Sequence, residues 1–197
     1  MKKRFFDIND SGPKKEEDKL SELFTSKYIN KHFAKIADPS FDVNRFPMPG
    51  ECFFLQSDTA FNAFTFIPMI AKAYKIKELY ASTYSISRKV IDALIELHDK
   101  GFIDKVTLLI SDSMIKRNPK TIDNLMAMCE TRANVNAYYA WSHAKVCIMR
   151  TEESHFVIEG SGNWAENAHY EQYLFANDKG LYNFRKELFT NSKLKKY

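Results

Sequence analysis

Short apolar runs alternate along the chain with stretches in which apolar residues recur at helical spacing. The runs at 52–55, 79–83 and 106–110 are rich in aliphatic, aromatic and β-branched residues, which predicts short buried strands. The same pattern predicts further strands at 135–140, 144–149, 156–158 and 173–175.

Between these runs, start and stop signals predict helices. Asp58 can cap a helix in which Pro68 either introduces a kink or marks the first turn. Ser87 can cap a second helix, which Gly101 ends, and Asn118 followed by proline can begin a third. Alternation of strands with helices predicts an α/β domain, a layered sheet flanked by helices. We expect the sheet to be largely parallel and to end in an antiparallel hairpin around 152–153.

The pattern divides the chain into four parts. Residues 1–19 are polar and mixed in charge, and we expect a flexible tail. Residues 20–50 combine helical spacing up to Ile36 with a connector that contains several prolines. The main domain is expected at 51–190, followed by a basic tail at 191–197.

Composition fits one soluble domain, since 45% of the 197 residues are hydrophobic. The three cysteines are an odd number at unrelated spacings, which argues against a disulfide framework and favours a reducing cytosol. No Cys/His cluster of the metal-binding kind and no apolar leader is evident, and the apolar stretch at 61–71 is too short to span a membrane. The sequence therefore predicts a cytoplasmic protein without a metal, a cofactor or a membrane partner.

The net charge of +4 comes mainly from the C-terminal end. Five basic residues lie there, namely Arg185, Lys186, Lys193, Lys195 and Lys196. They could contact the phosphates of a nucleic acid, or they could simply be solvated.

One motif brings polar groups together. His143 and Lys145 are two residues apart, and after fourteen residues Gly160 is followed by Ser161, Gly162 and Asn163. Residues at i and i+2 of a strand face the same way, and a hairpin return would bring the second pair beside the first.

The residue types suit a phosphate ester. An imidazole can act as a nucleophile and as an acid near neutral pH, and a lysine adds positive charge without a metal. Ser161 and Asn163 can donate hydrogen bonds to phosphate oxygens, while Gly160 and Gly162 would let the backbone approach closely. Trp164 could stack on a base or sugar, or pack against the hairpin.

The motif resembles the HKD signature of the phospholipase D superfamily, H-x-K-x4-D-x6-G-S-x-N. It departs from that signature at Arg150, where the family has Asp, and in three extra residues before Gly160. Arg150 could pair with Glu152 or Glu153, face the substrate, or be solvent-exposed.

The resemblance implies a phospholipase D-like fold with one HKD motif per chain. Members of the family join two motifs around one phosphate, and one histidine forms a phosphohistidine while the other protonates the leaving oxygen. Resemblance to single-motif bacterial nucleases implies a homodimer that shares His143 from each copy. It also implies that Glu171 orients a histidine through Nδ1.

Three functions remain open at this point. The leading hypothesis is a metal-independent phosphodiesterase, a nuclease acting on DNA or RNA as a homodimer. The alternatives are a nucleic-acid-binding module without turnover, and a phospholipase or transphosphatidylase.

Overall fold

The computed structural model describes residues 30–36, 39–165, 167, 169–190, 194 and 196. The predicted tail at 1–19 lies outside these residues, as do the first part of the predicted helix at 20–29 and most of the basic tail.

The described chain contains eight strands and six α-helices, and the last four strands follow one another without a helix between them. The strands are β1 Asn30–Ile36, β2 Glu51–Ser57, β3 Glu78–Thr83, β4 Val106–Ser111, β5 Val135–Ala140, β6 Val146–Arg150, β7 His155–Gly160 and β8 Gln172–Asn177. The helices are α1 Pro39–Asp42, α2 Phe66–Ala73, α3 Arg88–Asp99, α4 Ser113–Arg117, α5 Pro119–Glu130 and α6 Lys179–Lys186. Every strand predicted for the main domain is present.

All eight strands form one sheet in the order β1-β2-β8-β7-β6-β3-β4-β5. The pairs β1/β2, β3/β4 and β4/β5 are parallel, whereas the pairs that join β2, β8, β7, β6 and β3 are antiparallel. The predicted hairpin between β6 and β7 is confirmed, but the sheet is mixed rather than largely parallel. The reason is that β6, β7 and β8 run back and forth and are inserted between β2 and β3.

Two local predictions need correction. Residues 30–36 form strand β1, which pairs with β2, so the helix predicted up to Ile36 is wrong there. Pairing along the sheet edge decides the conformation of this segment against its helical spacing. Asp58 does not begin α2: Asn62 caps a 3-10 turn at Ala63–Thr65, which leads into α2 with Pro68 in its first turn.

The caps of the two long helices are confirmed. The Ser87 hydroxyl accepts from the Val90 amide at the start of α3, and Gly101 follows that helix with φ of 77°. The Asn118 side chain accepts from the Thr121 amide at the start of α5.

The two faces of the sheet are covered to different extents. Helices α2, α3 and α5 pack on one face and build the main core. On the other face, α6 and the 3-10 turn at Glu187–Phe189 form a smaller apolar cluster that includes Tyr182 and Phe189. Phe54 pairs with Leu174, which pairs with Glu159, so these three share a face. Phe54 remains 36% exposed, so this part of the sheet is incompletely covered.

Strand direction determines where the polar motif lies. The carboxyl ends of β2, β3 and β7 lie at the same edge of the sheet as the amino ends of β6 and β8, because the intervening pairs are antiparallel. This edge therefore carries the segments on both sides of the motif, 143–145 and 160–163.

Candidate functional site

His143 and Lys145 lie in the irregular segment that leads into β6, not within the strand itself. Their side chains still meet: the Lys145 Nζ is 2.9 Å from the His143 Nδ1 and donates to the His143 carbonyl oxygen at 2.9 Å. An ammonium group can only donate, so Nδ1 is the acceptor in this contact. The motif therefore places a positive charge directly beside the imidazole.

Tyr84, the residue after β3, supports the imidazole from the side. Its ring centre is 4.6 Å from that of His143, with an angle of 44° between the ring planes. Arg117 stacks on the same tyrosine, with its Cζ 4.3 Å from the ring centre. The side chains of Tyr84, His143 and Arg117 thus meet at the carboxyl ends of β3 and β4.

Glu171 contacts Ser161, not His143. The Ser161 hydroxyl donates to a carboxylate oxygen of Glu171 and accepts from the Gln172 amide at 3.0 Å. The Glu171 backbone is held to Ser57, whose hydroxyl accepts from the Glu171 amide at 2.7 Å. Within one chain Glu171 therefore does not orient the His143 Nδ1, because its backbone attachment directs the carboxylate to Ser161.

Lys145 is partly buried, and burial lowers its pKa below the ordinary lysine value. The negative charge of Glu171 opposes this shift without cancelling it. The lysine charge therefore lacks full compensation at this edge, which favours the approach of an anion.

The two motif glycines fit against strand β8. A Cβ at Gly160 would overlap the carbonyl oxygen of Gln172, and a Cβ at Gly162 would overlap the phenol oxygen of buried Tyr173. Packing within the chain thus explains the absence of side chains at both positions. Approach of a phosphate to their backbone stays a prediction.

Asn163 is held by Asn167. The Asn163 amide donates to the Asn167 Oδ1 at 2.7 Å, and the Asn163 carbonyl accepts from the Asn167 Nδ2 at 2.8 Å. Among the described residues, the buried Asn163 Oδ1 has no hydrogen-bond partner. The next residue is anchored to β3, since the Trp164 amide contacts the Thr83 Oγ1 at 3.2 Å.

Trp164 cannot stack on a substrate. Its side chain is 3% exposed and packs edge-on against Phe64, with 5.5 Å between ring centres. The hydrophobic effect and the neighbouring aromatic ring draw the indole into the core, so the substrate-binding role predicted for Trp164 is wrong. Trp141 is the exposed tryptophan beside the motif, at 84% exposure.

Arg150 lies at the far end of β6 from His143 and pairs with Glu78 across the strands. Its Nε is 3.2 Å from a Glu78 oxygen that also accepts from the Tyr182 hydroxyl at 3.2 Å and the Lys186 Nζ at 3.1 Å. Arg150 therefore forms a structural ion pair with Glu78, whereas Glu152 contributes only a weaker attraction, and the Arg150 side chain stays 39% exposed.

A second ion pair involves the C-terminal basic residues. The Arg185 Nε lies 2.7 Å from the Glu159 Oε2, although its N–H is not aligned for a hydrogen bond. Arg185 and Lys186 thus each contact a carboxylate within the fold, Glu159 and Glu78 respectively.

A cleft of about 800 Å³ opens beside the motif. His143 and Lys145 form part of its wall, while Phe54, Leu174 and Gln172 provide a mixed apolar and polar floor. This volume is typical of a small-molecule or ligand site.

The described residues contain neither a metal-binding cluster nor a membrane-spanning helix. No three His, Cys, Asp or Glu side chains there are close enough together to hold a metal ion. None of the helices described is both long and apolar enough to cross a membrane.

Sequence reasoning missed Tyr84, Arg117 and Ser57. Tyr84 and Ser57 could have been found from their positions, because each stands at the carboxyl end of a predicted strand, where sites in α/β sheets gather. Arg117 had no comparable signal, since its place depends on the short helix α4.

Similarity to known proteins agrees with the fold. Residues 66–189 match the family model described as cardiolipin synthase, PLD-like domain, which covers more than half of the chain. No protein of curated function is significantly similar to this sequence.

Three solved structures share the fold at low sequence identity. TrmBL2, an archaeal chromatin protein with a novel mode of DNA binding, superimposes with a TM-score of 0.52 and 14% identity over 74% of this chain and 54% of its own. Polyphosphate kinase from Porphyromonas gingivalis gives 0.53 and 11% over 72% of this chain and 26% of its own. Phosphatidylserine synthase from Haemophilus influenzae gives 0.51 and 14% over 74% and 40%.

The chain thus spans only about a quarter to about half of these proteins. Together with the HKD-like motif at one sheet edge and the mixed sheet between helices, the family match leads to one conclusion. The chain belongs to the phospholipase D superfamily, as a PLD-like domain.

Proposed function

We propose that this protein is a metal-independent phosphodiesterase that acts through a phosphohistidine on His143, and that it cleaves DNA or RNA as a homodimer. The observation that carries the proposal is the contact of the Lys145 Nζ with the His143 imidazole at the mouth of an open cleft. A nucleophile with a fixed positive charge beside it suits attack on an anionic phosphorus centre.

Each residue has a role in the proposed reaction. Lys145 neutralises the non-bridging oxygens, and Asn163 donates to them from its side-chain amide. Glu171 accepts a hydrogen bond from the Ser161 hydroxyl and thereby fixes its position in the site. Because this carboxylate also attracts the Lys145 charge, it keeps the lysine directed toward the phosphate.

The proposed steps balance with water as the co-reactant. As Lys145 turns from the imidazole to the phosphate oxygens, the unprotonated nitrogen of His143 attacks phosphorus, and the bond from phosphorus to the leaving oxygen breaks. The leaving oxygen takes a proton from a second imidazolium. That second imidazole then removes a proton from water, which attacks the phosphohistidine, breaks the P–N bond and releases a phosphate monoester.

The two alternatives differ in what supports them. A lipid substrate is supported by the apolar floor of the cleft and by the similarity to a phosphatidylserine synthase. A binding module without turnover was suggested by Arg150, but this residue is paired with Glu78 away from the motif. Nucleic acid is supported by the similarity to a DNA-binding protein.

Cleavage assays separate these functions. Labelled DNA and RNA are incubated with the protein in EDTA, beside phosphatidylcholine vesicles, and products are resolved on gels and by thin-layer chromatography. We expect nucleic-acid cleavage that survives chelation and disappears in His143→Ala. Cleavage that requires added Mg²⁺ would overturn the mechanism, whereas release of choline alone would assign the lipid function.

The homodimer follows from the need for two imidazoles. A single His143 placed for attack cannot stand opposite to protonate the leaving oxygen, and a second copy can supply the other. The partly exposed sheet face at Phe54 and the exposed Trp141 beside the motif offer apolar surface for such a contact.

Subunit mixing tests the shared site. Wild-type chains are mixed with an excess of His143→Ala chains under conditions in which subunits exchange. Activity should fall below the value expected if the wild-type chains were only diluted. Lys105→Ala chains serve as the matched control, since Lys105 is exposed just before β4, at the opposite end of the sheet. Full activity of an isolated monomer would contradict the model.

A further inference from the structure

Arg117 holds a defined position beside the candidate nucleophile. One of its terminal nitrogens, Nη2, donates to the Tyr84 carbonyl at 3.2 Å and to the Ser113 hydroxyl at 3.2 Å. Its guanidinium also lies over the Tyr84 ring, at 4.3 Å. These contacts fix the position of a side chain that otherwise has many rotamers.

The charge of Arg117 is not neutralised within the described part of the chain, where no acidic side chain forms a salt bridge with it. Arg132, Arg150 and Arg185, in contrast, each face a carboxylate. Since Nη2 is used for attachment, Nε and Nη1 remain to donate to an anion. The neighbouring Lys116 is exposed and adds to the positive potential.

The distance to His143 suits a substrate with more than one phosphate. The Arg117 Cζ and the imidazole centre both contact the Tyr84 ring, so they lie on the order of 9 Å apart at most. Neighbouring phosphates along a polynucleotide strand fall within such a separation. A phosphatidylcholine headgroup carries one phosphate and cannot occupy both positions.

We propose that Arg117, positioned on Tyr84, forms a subsite for the phosphate next to the scissile one, which makes a polynucleotide strand the preferred substrate. This inference rests on the proposed phosphodiesterase function and extends it from the reacting phosphate to its neighbour. Arg117 touches the substrate in this role, whereas Tyr84 acts as a positioning residue for both Arg117 and His143.

The kinetic test compares two oligonucleotides that differ only in charge. One has an ordinary backbone, and in the other the phosphates flanking a single cleavable phosphodiester are replaced by neutral methylphosphonates. We expect the wild-type kcat/KM to be roughly tenfold higher for the charged strand, and Arg117→Ala to lose most of that preference. Arg117→Lys should retain part of it, because a lysine keeps the charge without the planar stack.

Lys105→Ala is the matched control, since it removes the same charge at the opposite end of β4 and should keep the full preference. An Arg117→Ala variant with an undiminished preference would overturn the subsite. Arg117 is exposed, so its replacement should leave the fold intact, and circular dichroism checks this.

A binding measurement separates this inference from the proposed function. Fluorescence anisotropy follows binding of labelled single-stranded DNA over a salt series, with no need for turnover. Arg117→Ala should weaken affinity and reduce the slope of log K against log salt by about 0.7, as expected for one lost phosphate contact. If wild-type protein fails to hydrolyse bis(p-nitrophenyl) phosphate, the phosphodiesterase proposal fails, while an unchanged salt slope rejects the subsite.

Discussion

Basic side chains lie at both ends of strand β6, Lys145 just before it and Arg150 as its last residue, but their surroundings differ. At the Arg150 end, one oxygen of Glu78 accepts from Arg150, Lys186 and Tyr182, so both cations are held by a carboxylate within the fold. At the other end, Lys145 contacts a histidine, and Glu171 is engaged with Ser161.

The pKa shifts at the two ends reflect this contrast. Burial raises the pKa of Glu78, but hydrogen bonds and charges from Arg150 and Lys186 outweigh it and lower the pKa overall. Burial lowers the pKa of Lys145, and the single nearby carboxylate does not restore it. Cations hydrogen-bonded to a carboxylate stabilise the sheet, whereas Lys145, which forms no salt bridge within the described chain, is available to a substrate.

The strongest test of this contrast removes one group from each end. His143→Ala should lower turnover at least about 1,000-fold while leaving the melting temperature near that of the wild type. Arg150→Ala should instead lower the melting temperature. At temperatures at which this variant is folded, its turnover should be near that of the wild type. Comparable loss of turnover in both variants would remove the functional distinction between the two ends.

Lys145→Ala and Asn163→Ala should each reduce kcat by about 100-fold with a smaller change in KM. The reason is that their contacts with the phosphate oxygens strengthen as negative charge develops in the transition state. Steady-state kinetics on a single-phosphodiester substrate measure the two constants separately. A rise in KM at constant kcat would show that these residues contribute to substrate binding and not to transition-state stabilisation.

Arg150→Asp restores the residue type of the family motif and should nevertheless destabilise this protein. The new carboxylate would face Glu78 across the strands and remove one of its three hydrogen-bond donors, at a cost of about 1–3 kcal/mol in the free energy of unfolding. Urea denaturation measures the loss. The double variant Glu78→Arg, Arg150→Asp restores opposite charges and should recover part of it, and no recovery would show that the ion pair is not the cause.

The smallest expected effect is a pH dependence of stability from Glu78. Its folded-state pKa is depressed, so its contribution is present above the ordinary value of 4.5 and is lost as the pH falls through the lower folded value. Glu78→Gln should therefore narrow the difference in unfolding free energy between pH 7 and pH 3 by under about 1 kcal/mol, since the partners are partly exposed. A wild-type dependence retained in Glu78→Gln would assign the acid sensitivity to other groups.

Local physics explains which elements could be predicted. Helices α3 and α5 carry their own caps at Ser87 and Asn118, and β3 and β4 are short buried runs, so neighbouring residues were sufficient. Helix α6 begins with a similar cap at Asp178, yet it was not predicted. Its apolar side chains pack on the second face of the sheet, and that contact cannot be seen from neighbouring residues in the sequence.

The sequence by itself determined the chemistry available at the site, because His143, Lys145, Ser161 and Asn163 are recognisable as residue types at their spacing. Only the tertiary structure decided which groups meet. It joins Arg150 to Glu78 across 72 positions, buries Trp164, directs Glu171 to Ser161, and brings Tyr84 against His143. These outcomes depend on the order of strands in the sheet, and strand pairing between distant segments leaves little trace in any local pattern.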